Sequence, residues 1–125
     1  MRTSNFEDLV VWQKAHEFVL FAYKITSKFP KEELFGLTNQ FRRAAVSIPA
    51  NIAEGYRKSG IKDKLRFYNI SAGSADECRY YIILAKDLNL IDQIEYDNLY
   101  NSINIVSKLL TGYCKGIINQ TNSND

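Results

Sequence analysis

The sequence predicts an all-α protein, an antiparallel up-down four-helix bundle, and three observations carry that expectation. Apolar residues recur at three- and four-residue steps in four separate blocks, no block alternates as a half-buried strand does, and the connections between blocks are short. With 125 residues, 46% hydrophobic and 13% aromatic, residues 1–125 have the length of a single domain and enough apolar side chains to build a core.

The first helix is expected over about 8–28. Leu9, Trp12, Ala15, Val19, Ala22 and Tyr23 share one face, and Gln13, Glu17 and Lys24 lie on the other. His16 falls on the apolar side near Trp12 and Tyr23 and reads as a core histidine. Phe21 projects among the polar positions, which makes it the candidate subunit contact. Pro30 ends the block. The second helix is expected over about 37–58. At ~100° per residue, Leu37, Phe41, Ala45, Ile48, Ile52 and Tyr56 line one face, and Gln40, Arg43, Ser47, Asn51, Glu54 and Lys58 form a polar stripe. Between them Arg42, Val46, Pro49 and Ala53 make a strip suited to a close neighbour. Pro49 removes one helical hydrogen bond and its ring presses on the carbonyl of residue 45, so a kink is expected there.

Ser59 and Gly60 break the chain before a third helix over about 61–89. Its apolar residues cover a sector wider than one bundle core requires. The small stretch SAGSA, 71–75, costs helix propensity, Gly73 alone about 1 kcal/mol against alanine, and close helix approach is the expected compensation. The fourth helix, about 92–118, opens with DQIE, which fits a capping box with Asp in place of Ser or Thr. Tyr96, Leu99, Ile103, Val106, Leu110, Tyr113 and Ile117 then follow as a bundle seam. The tail, about 119–125, has no apolar anchor and is expected to be disordered.

Catalytic and metal chemistry find no support. His16 is the single histidine, Cys78 and Cys114 form no CxxC pair, and the Glu-x-x-His pairs of a di-iron bundle are absent. Cys78 falls on a small-residue strip with Phe67, Ser71, Ser74 and Ala85 and reads as a buried structural thiol. No catalytic residue, metal or cofactor is therefore assigned. The N-terminal residues carry charges throughout and lack the pattern of a signal peptide. The longest uncharged apolar run, Phe18 to Tyr23, is far short of the ~20 residues a membrane span needs. A soluble, cytoplasmic protein with reduced thiols and no membrane partner is expected.

The charge is +2 overall but unevenly spread. Residues 42–66 hold seven basic and two acidic side chains, a surplus of +5, and the remainder carries −3. For Arg42 and Arg43 two readings stay open. They pair with Glu54 or Glu77 across helices, in a polar network or assembly contact that includes Asn51, or they meet phosphate directly. Arg57, Lys58, Lys62, Lys64 and Arg66 cluster at the turn between the second and third helices, with Tyr56, Phe67 and Tyr68 among them. They are the candidate contacts for an RNA or DNA backbone, held without reading sequence. The alternative is a protein-interaction scaffold that makes no nucleic-acid contact.

Three stretches together carry a resemblance: FEDLVVWQKAHEF, FPKEELFGLTNQFRRAAVSIPANIAEGYRKSG and NISAGSADECRYYIILAKDLNLI. From about Phe6 to Ile117 the chain resembles the 23S rRNA intervening-sequence proteins, also called four helix bundle proteins, a bacterial family. The resemblance implies a small antiparallel bundle that assembles into a ring-like homopentamer, with no enzymatic activity. It also implies similarity to the accessory variability protein of diversity-generating retroelements, a basic pentamer that binds nucleic acid and a reverse transcriptase. Where the family often has glycine after the EGY position this chain has Arg57, which adds charge to the tip, and Asp63 dilutes it.

Overall fold

The computed structural model describes residues 5–123, and within them the chain forms four α-helices and no strand. These are α1 (Val10–Thr26), α2 (Asn39–Arg57), α3 (Ile61–Asp87) and α4 (Gln93–Ser123). A 3-10 turn, Phe6–Asp8, precedes α1; a second one, Lys31–Glu33, and a π-helical segment, Leu34–Thr38, lead into α2. Each helix packs against two others, α1 and α3 both lying against α2 and α4.

Contacts near the helix ends fix the directions. Arg42 early in α2 reaches Thr26 at the end of α1, and Lys28 just past α1 pairs with Glu95 at the start of α4. Gly55 at the end of α2 meets Tyr68 in the second turn of α3, whose ring lies edge-on to Tyr113 late in α4. The arrangement is that of an antiparallel bundle.

The helix ends follow from local sequence. Asp92 and Glu95 cap α4 reciprocally, the Glu95 N–H donating to Asp92 Oδ1 at 2.8 Å and the Asp92 N–H to Glu95 Oε1 at 3.0 Å. Asn89 ends α3 with φ of 60°, and the Leu90 N–H returns to the Ala85 carbonyl at 2.9 Å. Asparagine tolerates that left-handed conformation better than most residues, which suits the position after a helix end.

The core is a single cluster. Phe18, Phe41, Ile48, Ile52, Tyr68, Ile82, Leu99, Ile103 and Val106 are fully buried in it. The α4 seam and the Phe41–Ile52 face of α2 point inward as the periodicity indicates. In α1 the buried line runs through Val11, Ala15, Phe18, Val19, Ala22 and Ile25, so that Ala15, Val19 and Ala22 of the expected face turn inward while Leu9, Trp12 and Tyr23 lie at its edges. Two expectations change as a result. His16 is exposed and stacks on Trp12 at 5.1 Å instead of entering the core. Phe21 is half-buried and packs against the core cluster, while its neighbour Leu20 stands 58% exposed.

Other differences have equally local causes. The expected close approach of 71–75 is made by Ser71, Ser74 and Ala75, which are buried, with both serines bonded to α2, whereas Gly73 is exposed and a Cβ there meets nothing within 4 Å. The glycine that a close approach requires is Gly55, where a Cβ lies 2.6 Å from Tyr68 Cε1. The α2 helix continues through Pro49 as one element, and the Ser71 hydroxyl donates to the adjacent Ile48 carbonyl at 2.8 Å. At the other terminus α4 extends to Ser123 instead of ending near 118, since no Pro or Gly follows Gly116 to stop it. The last two residues of the tail, 124–125, lie outside the described residues.

Candidate nucleic-acid interface

Five basic residues meet at the α2–α3 turn, but their surroundings differ. Lys64 lies in the first turn of α3, where its ammonium donates to the carbonyls of Tyr56 at 2.7 Å and Gly55 at 3.2 Å. It thereby caps the last turn of α2, whose carbonyls lack helical partners. Burial lowers its pKa from the ordinary lysine value. Arg66 grips Asp63 through Nε at 3.2 Å and Nη2 at 3.1 Å, one helical turn away, and lies over the Phe67 ring at 4.5 Å. Lys58 is held between Glu54, at 3.9 Å, and the face of Phe67, at 5.2 Å. Arg57 and Lys62 are exposed and make no ion pair or hydrogen bond among the described residues. The tip therefore offers two cations for outside ligands, mounted on three that brace it.

The polar stripe of α2 does not hold the carboxylate pairs expected of its arginines. Arg42 donates from Nε to Thr26 Oγ1 at 2.8 Å and from Nη2 to the Tyr23 carbonyl at 3.4 Å, with its guanidinium 4.5 Å from the Tyr23 ring centroid. Its partners are neutral acceptors at the C-terminus of α1, where a cation also opposes the helix dipole. Arg43 is exposed and makes no ion pair or hydrogen bond among the described residues. Among the described residues the expected pairing of these arginines with Glu54 or Glu77 is absent: Arg42 reaches across to α1, and each glutamate finds its partner within its own helix. Glu54 pairs with Lys58, and Glu77 accepts from the Tyr81 hydroxyl at 3.2 Å. Solvent satisfies an exposed arginine, so Arg43 needs no carboxylate. Asn51 donates to the Ser47 carbonyl and hydroxyl at 2.8 and 3.0 Å, and the Ser74 hydroxyl donates to Ser47 Oγ at 2.8 Å, which ties α2 to α3.

Beside the tip is a groove of about 630 Å³ that sequence reasoning missed. It is lined by the small Ala50 and Ala53, the aromatic Phe6 and Tyr56, and the polar Asn5, Glu54 and Arg57. The Asn5 side chain caps the 3-10 turn by accepting from the Glu7 N–H at 3.0 Å, which fixes Phe6 against Trp12, edge to face at 5.2 Å. The one sequence signal was Asn5 ahead of the acidic pair Glu7 and Asp8, a helix-start pattern. Arg79 also escaped notice. It bridges α3 to α4 through Asn104 and Ser107 while holding Asp76, so its donors are already used within the chain.

The thiols are not activated. Burial pushes Cys78 up to about 12 and raises Cys114 as well, and both are free cysteines. Among the described residues no cluster of three His, Cys, Asp or Glu could hold a metal, and no helix is long and apolar enough to cross a membrane.

Comparison with known proteins adds the following. The family model described as 23S rRNA-intervening sequence protein matches residues 7–112. A 1.70 Å crystal structure of a protein of unknown function from the S23 ribosomal protein family of Bacteroides thetaiotaomicron is similar at TM-score 0.77. The two share 28% sequence identity over 85% of this chain and 99% of that one. No curated protein matches the sequence.

Proposed function

The chain belongs to the 23S rRNA-intervening sequence protein family, and from that premise we propose that it is a non-enzymatic, cytoplasmic nucleic-acid-binding or adaptor protein that works as a homo-oligomer. The observation that carries this reading is the pair Arg57 and Lys62, exposed and making no ion pair or hydrogen bond among the described residues, on a tip whose other cations are engaged, Lys58 and Arg66 by carboxylates and Lys64 by backbone carbonyls. Such charges neutralise phosphates irrespective of base sequence.

A homopentameric ring is the assembly we propose, and the outward face of α3 supports association. Ile70, Tyr80 and Ile83 are 43%, 58% and 40% exposed at helical spacing, with Gly73 open between them. That stripe suits a neighbouring subunit better than Phe21, which packs inward. We also take α2 to bend at Pro49, where the Ala45 carbonyl loses its helical donor.

Fluorescence anisotropy with a structured RNA tests the reading. Wild-type protein is expected to bind at low salt and release as salt rises, and the Arg57→Ala/Lys62→Ala variant to lose most of that binding. No binding at low salt refutes it. A second reading, a protein-interaction scaffold, is favoured by the opposite end of the bundle, where Phe35 is 88% exposed and Leu34, Leu88 and Ile94 are exposed too. It predicts that Phe35→Ser removes capture of a protein partner without changing RNA binding.

A further inference from the structure

We propose that the groove beside the tip receives one unpaired nucleobase, so that the preferred ligand is a single strand and not a duplex. The inference rests on the nucleic-acid reading above and specifies its ligand. Tyr56 and Arg57 belong to the groove and to the last turn of α2, so a strand whose phosphate meets Arg57 has a base within reach of the groove. At about 630 Å³ the groove falls within the range of small-ligand sites, roughly 300–1,000 Å³.

Its lining favours a base over a phosphate. Ala50 and Ala53 let a flat ring come close to α2, and Phe6 and Tyr56 supply aromatic surface for stacking. Both rings are held in place, Phe6 by Trp12 and Tyr56 by the Lys64 ammonium 5.4 Å from its centroid. Glu54, with Lys58 3.9 Å away, keeps carboxylate lone pairs that accept hydrogen bonds from an exocyclic amine, as carboxylates do from cytosine. Bases carrying an amino group are therefore preferred to uracil or thymine. A base paired inside a duplex cannot enter without the cost of unstacking.

The test compares equal-length single-stranded and duplex oligonucleotides, each in RNA and DNA form, carrying 2-aminopurine at one position. The single strand is expected to bind with quenched fluorescence, and the duplex to bind through the tip without quenching. Loss of one base stack weakens binding about tenfold. Phe6→Ala, and Ala50→Leu at an exposed position that leaves the core untouched, are each expected to abolish quenching and weaken single-strand binding by that factor, with duplex binding unchanged. The RNA and DNA arms separate a contact to the 2′-hydroxyl from base stacking alone. If both variants leave quenching and the single-strand preference intact, or if no such preference exists, the base site is wrong while tip binding stands. If neither probe binds, both readings fall.

Discussion

Gly55→Ala is expected to destabilise the bundle by about 1–2 kcal/mol, although alanine is normally the better helix residue. The added Cβ lies 2.6 Å from Tyr68 Cε1, 3.0 Å from Cδ1 and 3.1 Å from Cζ. One whole edge of the ring must therefore retreat. Tyr68 is fully buried, with the Tyr113 ring edge-on at 5.3 Å, so there is no room to retreat into. Overpacking a well-filled core costs about 1–3 kcal/mol, and this geometry belongs in the upper part of that range. Removing glycine from a helix returns about 1 kcal/mol, which leaves the stated net loss. Urea unfolding followed by far-ultraviolet circular dichroism measures it as a lower midpoint with an unchanged slope. Tyr68→Leu removes the clashing edge, so the double variant is expected to be at least about 1 kcal/mol more stable than the two single losses added together. A Gly55→Ala protein as stable as wild type, or a strictly additive double variant, refutes the argument.

Three further outcomes follow from the same contacts. Tyr68 Oη is buried and, among the described residues, meets no partner at hydrogen-bond geometry, Tyr113 being the polar neighbour that acts on it most, so Tyr68→Phe is expected to raise stability by about 1 kcal/mol; a comparable loss in thermal unfolding means that the hydroxyl is satisfied. Arg42→Ala strips two hydrogen bonds from the end of α1 and is expected to cost about 1–2 kcal/mol in the same assay, whereas Glu54→Gln and Glu77→Gln stay within about 0.5 kcal/mol. Burial holds the Cys78 thiol at about 12 against an ordinary 9.0 and pushes the Tyr68 phenol above its usual range. Because the folded values are raised, this stability is complete below about pH 9 and is lost as pH rises toward 12. The slope reaches about 1.4 kcal/mol per pH unit for each group, and Cys78→Ala is expected to flatten it in unfolding curves taken across that window.

Legibility in the sequence depended on whether a feature was set by neighbours along the chain or across the fold. The α4 seam and its capping box were legible because both are local, one a matter of helical period and the other of two side chains three residues apart. The facing of α1 was less so, since Leu9, Trp12 and Tyr23 flank the buried line and a wide apolar sector does not say which edge turns inward. Gly55 and Gly73 look alike in sequence, and only the packing of Tyr68 tells the close approach from the open position. The groove needed Phe6 and α2 to meet across more than forty residues, a contact that no motif encodes.

The candidate site illustrates why a local charge count overstates what a surface can offer. Five cations crowd the α2–α3 turn, yet the carbonyls ending α2 engage Lys64, and acidic residues one helical turn away engage Lys58 and Arg66. Helix ends attract lysines and i,i+3 or i,i+4 spacing attracts carboxylates, so these losses follow from the helices themselves. Under the proposed function, Arg57 and Lys62 are what remains for phosphate, too little for one chain to hold nucleic acid firmly, and the proposed repetition of the tip is what would supply the affinity. Binding and assembly therefore make a joint prediction. Each phosphate neutralised contributes about −0.9 to the slope of log affinity against log salt on a duplex. A single tip gives a slope of about −2, whereas a ring of five engaged tips gives about −9. Sedimentation and salt titration on the same sample check this together: a pentamer with a slope near −2 means that one tip binds and avidity plays no part. A monomer with a steep slope means that cations other than Arg57 and Lys62 carry the contact.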